Sequence, residues 1–288
     1  MTDETNLAGR TVLVTGGSSG IGEWTAIGLA RLGAQVVITS RSQQRGDEAI
    51  ERIRDALPTA AVAAMALDLA DLADIRRFAD EFAARHDHLD VLVNNAGLTL
   101  SDRRETADGH EMLFQTNHLG PFLLTDLLLD RVRAAAPARI VTVASAAHRS
   151  ARGIDFDDLD SEHRPFVGLV EYARTKLMNV LFARELAQRL DGSGVTSNSL
   201  HPGTVRTGWG GDTKGLLRFG LGLARPFFKT PEQGARTSVF VASAPQLEGH
   251  TGGYYKSRRE VKPSRVGRDD DLARRLWEVS AELVGRPA

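Results

Sequence analysis

The chain has 288 residues, 42% apolar and 25% charged, enough to bury one large α/β core without covalent staples. A net charge of −1 provides no global field for nucleic acid or an acidic membrane surface, and the absence of cysteine removes disulfides, thiolate catalysis and thiolate metal sites together. The first ten residues are polar and no stretch approaches the length of a membrane span, so a soluble, cytoplasmic protein with no integral membrane segment and no metal site is the expectation.

Thr11-Val12-Leu13-Val14 reads as a strand and runs straight into Thr15-Gly16-Gly17-Ser18-Ser19-Gly20-Ile21-Gly22. Ile21, Thr25, Gly28, Leu29 and Leu32 then recur at helical spacing. Strand, glycine turn and helix together present free backbone N–H groups and a positive helix end, which suits a phosphate. Glycine is needed where a Cβ would block a pyrophosphate or hold the helix off the sheet. Taken alone, such a turn also fits a plain connecting loop. Gly33 closes the helix, and Ala34 to Thr39 reads as a buried second strand. Ser40-Arg41 stands at its C-terminal end, which in dinucleotide folds faces the adenosine ribose. An acid there accepts a 2′-hydroxyl, and an arginine accommodates a 2′-phosphate. The next acid is Asp47, so Arg41 favours NADP(H), with NAD(H) the alternative; a solvated arginine at a helix start is the competing reading.

A helix is predicted over Gln43 to Ala56, then a strand over Ala60 to Leu67 that its alanines weaken. Asp68-Leu69 ends that strand where an adenine would lie. Asp71 to Ala84 is an amphipathic helix and Leu89 to Val93 a fourth strand, broken by Asn94-Asn95-Ala96-Gly97. The asparagine amides can tie neighbouring strands together. A long helical region spans Glu111 to Ala136, with a kink expected at Gly120-Pro121 and Asn117 inside it. Arg139 to Ala144 is a fifth strand ending at Ser145, and Ala146 to Val170, charged and aperiodic, reads as a surface excursion. A helix from Glu171 to Leu190 and a sixth strand from Val195 to Leu200 follow, the latter ending in His201-Pro202-Gly203-Thr204-Val205-Arg206-Thr207. Alternating strands and helices predict a single α/β domain, a doubly wound parallel sheet with helices on both faces.

Gly208 to Phe228 is glycine-rich and apolar, and is read as a substrate-covering segment (208–230) that moves on its glycines and excludes water with its side chains. A shallow surface helix, or an amphipathic strip touching membrane, fits the same composition. Its apolar content points to a hydrophobic substrate. Pro231 to Ala244 is a helix with proline in its first turn, and Gly253-Tyr254-Tyr255 a last strand. Residues 256–288 form a C-terminal extension whose basic run, Lys256 to Arg268, reads as a solvated face.

Tyr172 and Lys176 stand four residues apart at a helix start and share one face. A phenol is a poor base at neutral pH, and a nearby ammonium favours its phenolate, so the pair predicts a lowered tyrosine pKa and proton exchange with an alcohol oxygen. Ser145, at the end of a central strand, can hydrogen-bond the same oxygen. Tyr-x-x-x-Lys also arises by chance on helices. Together, however, Tyr172-Ala-Arg-Thr-Lys176, the glycine turn, Asn94-Asn-Ala-Gly97 and Pro202-Gly-Thr-Val-Arg-Thr207 resemble the short-chain dehydrogenase/reductase superfamily over nearly the whole chain. Within it, Ala144-Ser-Ala-Ala-His148, Gly153-Ile-Asp-Phe-Asp-Asp-Leu159, Lys229-Thr-Pro-Glu-Gln-Gly234 and Arg275-Leu-Trp-Glu-Val-Ser280 are similar to the retinol dehydrogenase-like branch.

The resemblance implies a Rossmann-type fold and an NADP(H)-dependent oxidoreductase interconverting a carbonyl and an alcohol, and it leaves a non-catalytic redox-sensing regulator as the alternative. It implies a tetrad of Asn117, Ser145, Tyr172 and Lys176: Tyr172 as general acid/base, Ser145 orienting the carbonyl, Lys176 on the nicotinamide ribose, Asn117 holding a relay water. It further implies that Gly16, Ser18, Ser19, Gly20, Ile21 and Gly22 line the pyrophosphate, with Asp68 and Leu69 at the adenine. Asn94, Ala96 and Gly97 would follow the ribose, and Pro202, Gly203, Val205 and Thr207 the carboxamide. Family habit implies a homodimer or homotetramer through the helices around Asn117 and Tyr172. Two departures stand out: Ala144 replaces the usual serine before Ser145, and the membrane-anchoring N-terminus of many animal members is missing.

Overall fold

The computed structural model describes residues 6–205 and 229–287. Among these residues, one sheet of eight strands has the order β3-β2-β1-β4-β5-β6-β7-β8. The strands are β1 Thr11–Val14, β2 Gln35–Ser40, β3 Val62–Ala66, β4 Val91–Asn94, β5 Ala138–Val143, β6 Val195–His201, β7 Tyr254–Lys256 and β8 Arg259–Glu260. Pairings are parallel from β3 through β7, and β8 turns back antiparallel on β7. The chain starts mid-sheet, winds outward through β2 and β3, then crosses to β4 on the other side of β1. That reversal opens a crevice at the C-terminal strand ends.

Side-chain alternation sorts the core into two layers. Val12, Val14, Val36, Ile38, Val91 and Val93 face one side, which α1 (Gly20–Arg31) and α2 (Gln43–Ala56) cover. Leu13, Val37, Leu92 and Ile140 face the other, under α3 (Leu72–Arg85) and the helices that follow it. Strands buried on both faces need apolar residues at every position, which is why β1 and β4 read as unbroken apolar runs.

The long helical region is interrupted just before Gly120-Pro121 by a π-helical turn. It consists of α4 (Met112–Phe114), a π-helical turn (Gln115–Leu119) and α5 (Gly120–Ala134), with ordinary helical dihedrals at Gly120 and Pro121 in the first turn of α5. Gly120 serves close approach, since a Cβ there would lie 2.6 Å from the Leu69 carbonyl oxygen. The interval before α6 (Gly168–Arg189) also differs from a simple surface excursion. Ile154, Phe156 and Leu159 pack on the core. Arg152, Asp155, Asp157 and Glu162 are exposed, but Arg164 pairs with Asp158 at 2.9 Å and with Glu171 of α6 at 3.2 Å, and Arg174 of α6 bonds the same Glu171 at 2.8 Å.

After α7 (Pro231–Ser243), which packs beside α1, the C-terminal extension begins with the basic run, whose cations Lys256, Arg258, Arg259, Lys262, Arg265 and Arg268 are all exposed as expected, and the segments around them pack inward. The extension supplies β8, a buried Gly267, and α8 (Asp270–Leu283), which buries Leu276, Trp277 and Ala281 against α6. His118 lies at that junction, fully buried among Phe114, Phe122 and Phe182, with Nε2 2.8 Å from the Ser280 hydroxyl. Burial lowers its pKa from 6.5 to about 3. A histidine held neutral in the fold protonates more readily once unfolded, so its contribution is lost as pH falls below about 6.5 towards 3. In urea titrations, His118→Leu should shrink the difference in unfolding free energy between pH 7 and pH 5 by about 2 kcal/mol. An unchanged difference would contradict the assignment.

Candidate active site

The glycine turn joins the C-terminal end of β1 to α1. Gly16 has φ +62°, and a Cβ there would press within 3.0 Å of the Ala96 Cα; one on Gly22 would lie 2.2 Å from the Gly16 carbonyl oxygen. Asn95 ties this turn to β4: its Nδ2 donates to the Thr15 carbonyl at 2.8 Å, while Thr15 Oγ1 accepts the N–H groups of Asn95 and Ala96 at 3.0 Å. Ser42 and Asp71 cap α2 and α3 with their side chains, but Ser19 makes no such bond to α1. The first-turn N–H groups of α1 are therefore left for another acceptor, in a turn formed by Gly16, Ser18, Ser19, Gly20, Ile21 and Gly22. Glu23, the acid nearest that helix end, is drawn off by Arg52, which also donates to the Ser18 carbonyl at 2.7 Å.

Arg41 is exposed just beyond β2 and makes no hydrogen bond or ion pair to a described residue. Asp68 is fastened locally, its N–H to Asp74 and its carboxylate to the Ala70 N–H. The Leu69 side chain belongs to the core, and Asn94 sends its amide to Thr125 Oγ1 at 2.9 Å. Those two side chains face away from the crevice, so contact from Leu69 or Asn94 to a bound molecule falls to the backbone.

Four residues converge across the crevice. Ser145 follows the end of β5 and caps a short 3₁₀ turn, Ala146–Arg149, its Oγ accepting the Ala147 N–H at 3.2 Å. Tyr172, 6% exposed near the start of α6, hydrogen-bonds Ser145 through its side chain. Lys176, 3% exposed and one helical turn on, donates to the Val143 carbonyl at 3.0 Å, with its Nζ 5.6 Å from the Tyr172 ring centre. A Cβ on the exposed Gly97 would lie 3.2 Å from both Lys176 Nζ and Asn117 Oδ1. Asn117, in the π-helical turn, is held on both sides of its amide. Oδ1 accepts the Leu98 N–H at 2.8 Å, and Nδ2 donates to the Leu98 carbonyl at 3.0 Å and to Thr175 Oγ1 at 3.1 Å.

The electrostatics overturn one expectation. Tyr172 does not have a lowered pKa: burial raises it well above the ordinary phenol value, and the bond to Ser145 only partly opposes this. The reason is geometric, because the Lys176 ammonium is anchored on a strand carbonyl rather than on the phenol oxygen. Burial in turn lowers Lys176 to about 8. The free site thus holds a neutral phenol beside a cation that still carries its charge at neutral pH.

At the end of β6, Gly203 has φ +100°, and a Cβ there would lie 3.0 Å from Lys229 Nζ. Pro202 is buried, and Val205 bridges to Lys229. His201 is buried with no partner for Nδ1 among the described residues, and burial with the nearby Lys256 and Lys229 lowers it to about 4. Thr207 and the proposed cover, Gly208 to Phe228, lie outside the described residues. Asn95, Thr175 and Lys229 are site residues that sequence reasoning did not assign. Asn95 and Lys229 both stand in short motifs, and the Asn95 amide does tie neighbouring strand ends, as its residue type suggests. Among the described residues, no group of three or more His, Cys, Asp or Glu is placed to hold a metal, and no helix is long and apolar enough to cross a membrane.

Known proteins share the sequence pattern and the fold. A family model described as short chain dehydrogenase matches residues 10–155. Human retinol dehydrogenase 14 is 42% identical over 294 residues, covering 96% of this chain and 87% of the relative. A crystal structure of an uncharacterized protein from Mycobacterium paratuberculosis superimposes with a TM-score of 0.80 at 34% identity, covering 99% of this chain and 98% of that one. A gluconate 5-dehydrogenase from Burkholderia cenocepacia, solved with NADP and tartrate, gives a TM-score of 0.69 at 26% identity over 88% and 95% of the two chains.

The crowding at the glycine turn is testable by melting. Gly22→Ala should cost about 1–3 kcal/mol, because its methyl group meets backbone that cannot retreat. Gly153→Ala, with nothing within 4 Å of the new Cβ, should leave Tm nearly unchanged. Equal melting of both variants would contradict the tight turn.

Proposed function

The chain belongs to the short-chain dehydrogenase family, in its retinol dehydrogenase-like branch, and is an oxidoreductase of CH–OH groups; from that premise we propose that it uses NADP(H) to interconvert a hydrophobic carbonyl and its alcohol, with Tyr172 moving the proton. One observation carries the reading: Ser145, Tyr172 and Lys176 converge at the strand ends facing an uncapped helix N-terminus lined by glycine.

The crevice fits a nicotinamide dinucleotide where side chains are excluded, at Gly16, Gly22, Gly97 and Gly203. Gly16 to Gly22 would take the pyrophosphate on the N–H groups of α1, and the Asp68-Leu69 backbone the adenine. Asn94, Ala96 and Gly97 would follow the ribose with Lys176, and Pro202, Gly203, Val205 and Thr207 the carboxamide. Arg41 would meet a 2′-phosphate, a role supported by its exposure and by the absence of an acid beside it. When bound, the dinucleotide supplies or takes the hydride.

The protein's own groups then handle the substrate oxygen. Burial keeps Tyr172 as the neutral phenol, the form that gives a proton when a carbonyl is reduced. Ser145 donates a hydrogen bond to the same oxygen as charge gathers there. Lys176, fixed on the Val143 carbonyl, holds a positive charge against the tyrosinate left behind. Asn117 has spent its side chain on Leu98 and Thr175, so a relay water would bind its backbone. That role is supported by Pro121, which has no N–H to offer the carbonyls of Thr116 or Asn117. A hydrophobic substrate is supported by relatives named for retinol and by Val167 and Leu169, each 52% exposed at the start of α6 beside Tyr172.

Mixing the protein with NADPH and a panel of ketones and aldehydes, retinal included, and following nicotinamide absorbance tests the reading. Binding of NADPH without turnover on any of them would instead favour a redox-sensing regulator. Tyr172→Phe should retain NADPH affinity and lose turnover by about two to four orders of magnitude; equal turnover would remove Tyr172 from its role. Arg41→Asp should shift the ratio of NADPH to NADH kcat/KM towards NADH, by about tenfold or more for the loss of one charge-assisted contact. An unchanged ratio would refute the phosphate contact.

A further inference from the structure

His148 is fully buried one turn after Ser145, and both of its ring nitrogens meet backbone. Nδ1 lies 2.6 Å from the Ser145 carbonyl oxygen, and Nε2 lies 3.1 Å from the backbone nitrogen of Ser264. A carbonyl can only accept and a backbone N–H can only donate, so Nδ1 carries the hydrogen and Nε2 is bare. The other neutral tautomer would lose both bonds. The His148 backbone N–H also reaches the Ser145 carbonyl, at 3.2 Å, giving that oxygen two donors from one residue.

The far end of the link is equally well held. Ser264 lies in the C-terminal extension and accepts the Gly267 N–H on its hydroxyl at 3.0 Å. A Cβ on Gly267 would lie 3.2 Å from Val180 of α6, so this segment sits directly on the helix that carries Tyr172. Arg149, the neighbour of His148, donates to the Lys262 carbonyl, and Tyr254 of β7 closes over the imidazole edge-on with ring centres 4.9 Å apart.

We propose that His148 is a positioning residue for Ser145, a neutral Nδ1–H imidazole that clamps the Ser145 peptide to the Ser264 peptide and so makes the C-terminal extension part of the active-site frame. The proposal rests on the reading of Ser145 as a catalytic group. It explains why a buried histidine occupies this turn: no other side chain offers a donor and an acceptor on opposite edges of a rigid ring. A displacement of about 1 Å in a group that touches the reacting oxygen can cost roughly a hundredfold in rate, so the clamp acts on turnover rather than on cofactor binding.

Three variants at one position separate the roles, assayed with NADPH and the carbonyl turned over fastest. His148→Leu removes both bonds and should lower kcat about 10- to 100-fold, with the NADPH Kd within about twofold of wild type. His148→Asn, whose amide nitrogen stands near the Nδ1 position and cannot reach Ser264, should recover only part of the loss and stay at least about threefold below wild type. His148→Gln, whose amide reaches towards Ser264 instead, should stay near the leucine variant. Wild-type kcat in His148→Leu, or in His148→Asn without the Ser264 bond, would overturn the clamp.

Ser145→Ala run in parallel distinguishes the two failures. If it turns over normally, the catalytic reading of Ser145 falls; if it is slow while His148→Leu is normal, only the clamp falls. Long-range ¹H–¹⁵N spectra of the wild-type protein at pH 7 need no variant to fold. They should show His148 as the Nδ1–H tautomer, and an Nε2–H or imidazolium pattern would refute the proposal.

Discussion

Burying an ammonium beside a phenol is the constraint on which the rest of the site depends. Lys176 and Tyr172 are both withdrawn from water, and desolvation acts against charge on each, lowering the amine to about 8 and raising the phenol. The arrangement survives at neutral pH because the ammonium is given a strand carbonyl, that of Val143, and the phenol is left neutral beside Ser145. The surrounding residues preserve this division. Gly97 leaves room for the lysine head, and the Asn117 amide locks the loop after β4 in place. The pair therefore rests as acid plus cation, the state from which a proton leaves and a negative charge is tolerated.

Topology brings these groups together. The winding order of the chain reverses between β1 and β4, so the ends of the parallel strands β1, β4, β5 and β6 open on one crevice. The glycine turn, the Asn94-to-Gly97 loop, Ser145 and Gly203 are the residues immediately past those four ends. Helix α6 crosses beneath and delivers Tyr172 and Lys176 from one face. The C-terminal extension packs against α6 through α8 and reaches the Ser145 turn through Ser264, and so supports the crevice from behind.

Much of this was legible in the chain. The apolar runs of β1, β2 and β4, the glycine turn and the Tyr172/Lys176 spacing each follow from local pattern, and each lies where the pattern places it. What local pattern cannot carry is the competition between burial and charge. A four-residue spacing implies that the ammonium acts on the phenol, but only the position of the Val143 carbonyl shows where the ammonium is spent. Gly120 carries a constraint that local pattern also hides, since the glycine answers to Leu69, 51 residues away in sequence and in contact only through the fold. The interval from 146 to 170 looked like surface because its charges are numerous, yet Arg164, Arg174, Asp158 and Glu171 neutralise one another over the core. His148 belongs to a short local motif and its partner Ser264 lies in a basic run far along the chain, so a contact over that distance leaves no periodic trace.

The most direct measurement of the central claim is the pH dependence of kcat/KM for NADPH-driven carbonyl reduction by the wild-type protein. With Tyr172 held as the acid and Lys176 titrating at about 8, the rate should be level below that pH and fall about tenfold per unit above it. A profile that stays flat through pH 10, or one that rises with pH as a tyrosinate forms, would contradict the account.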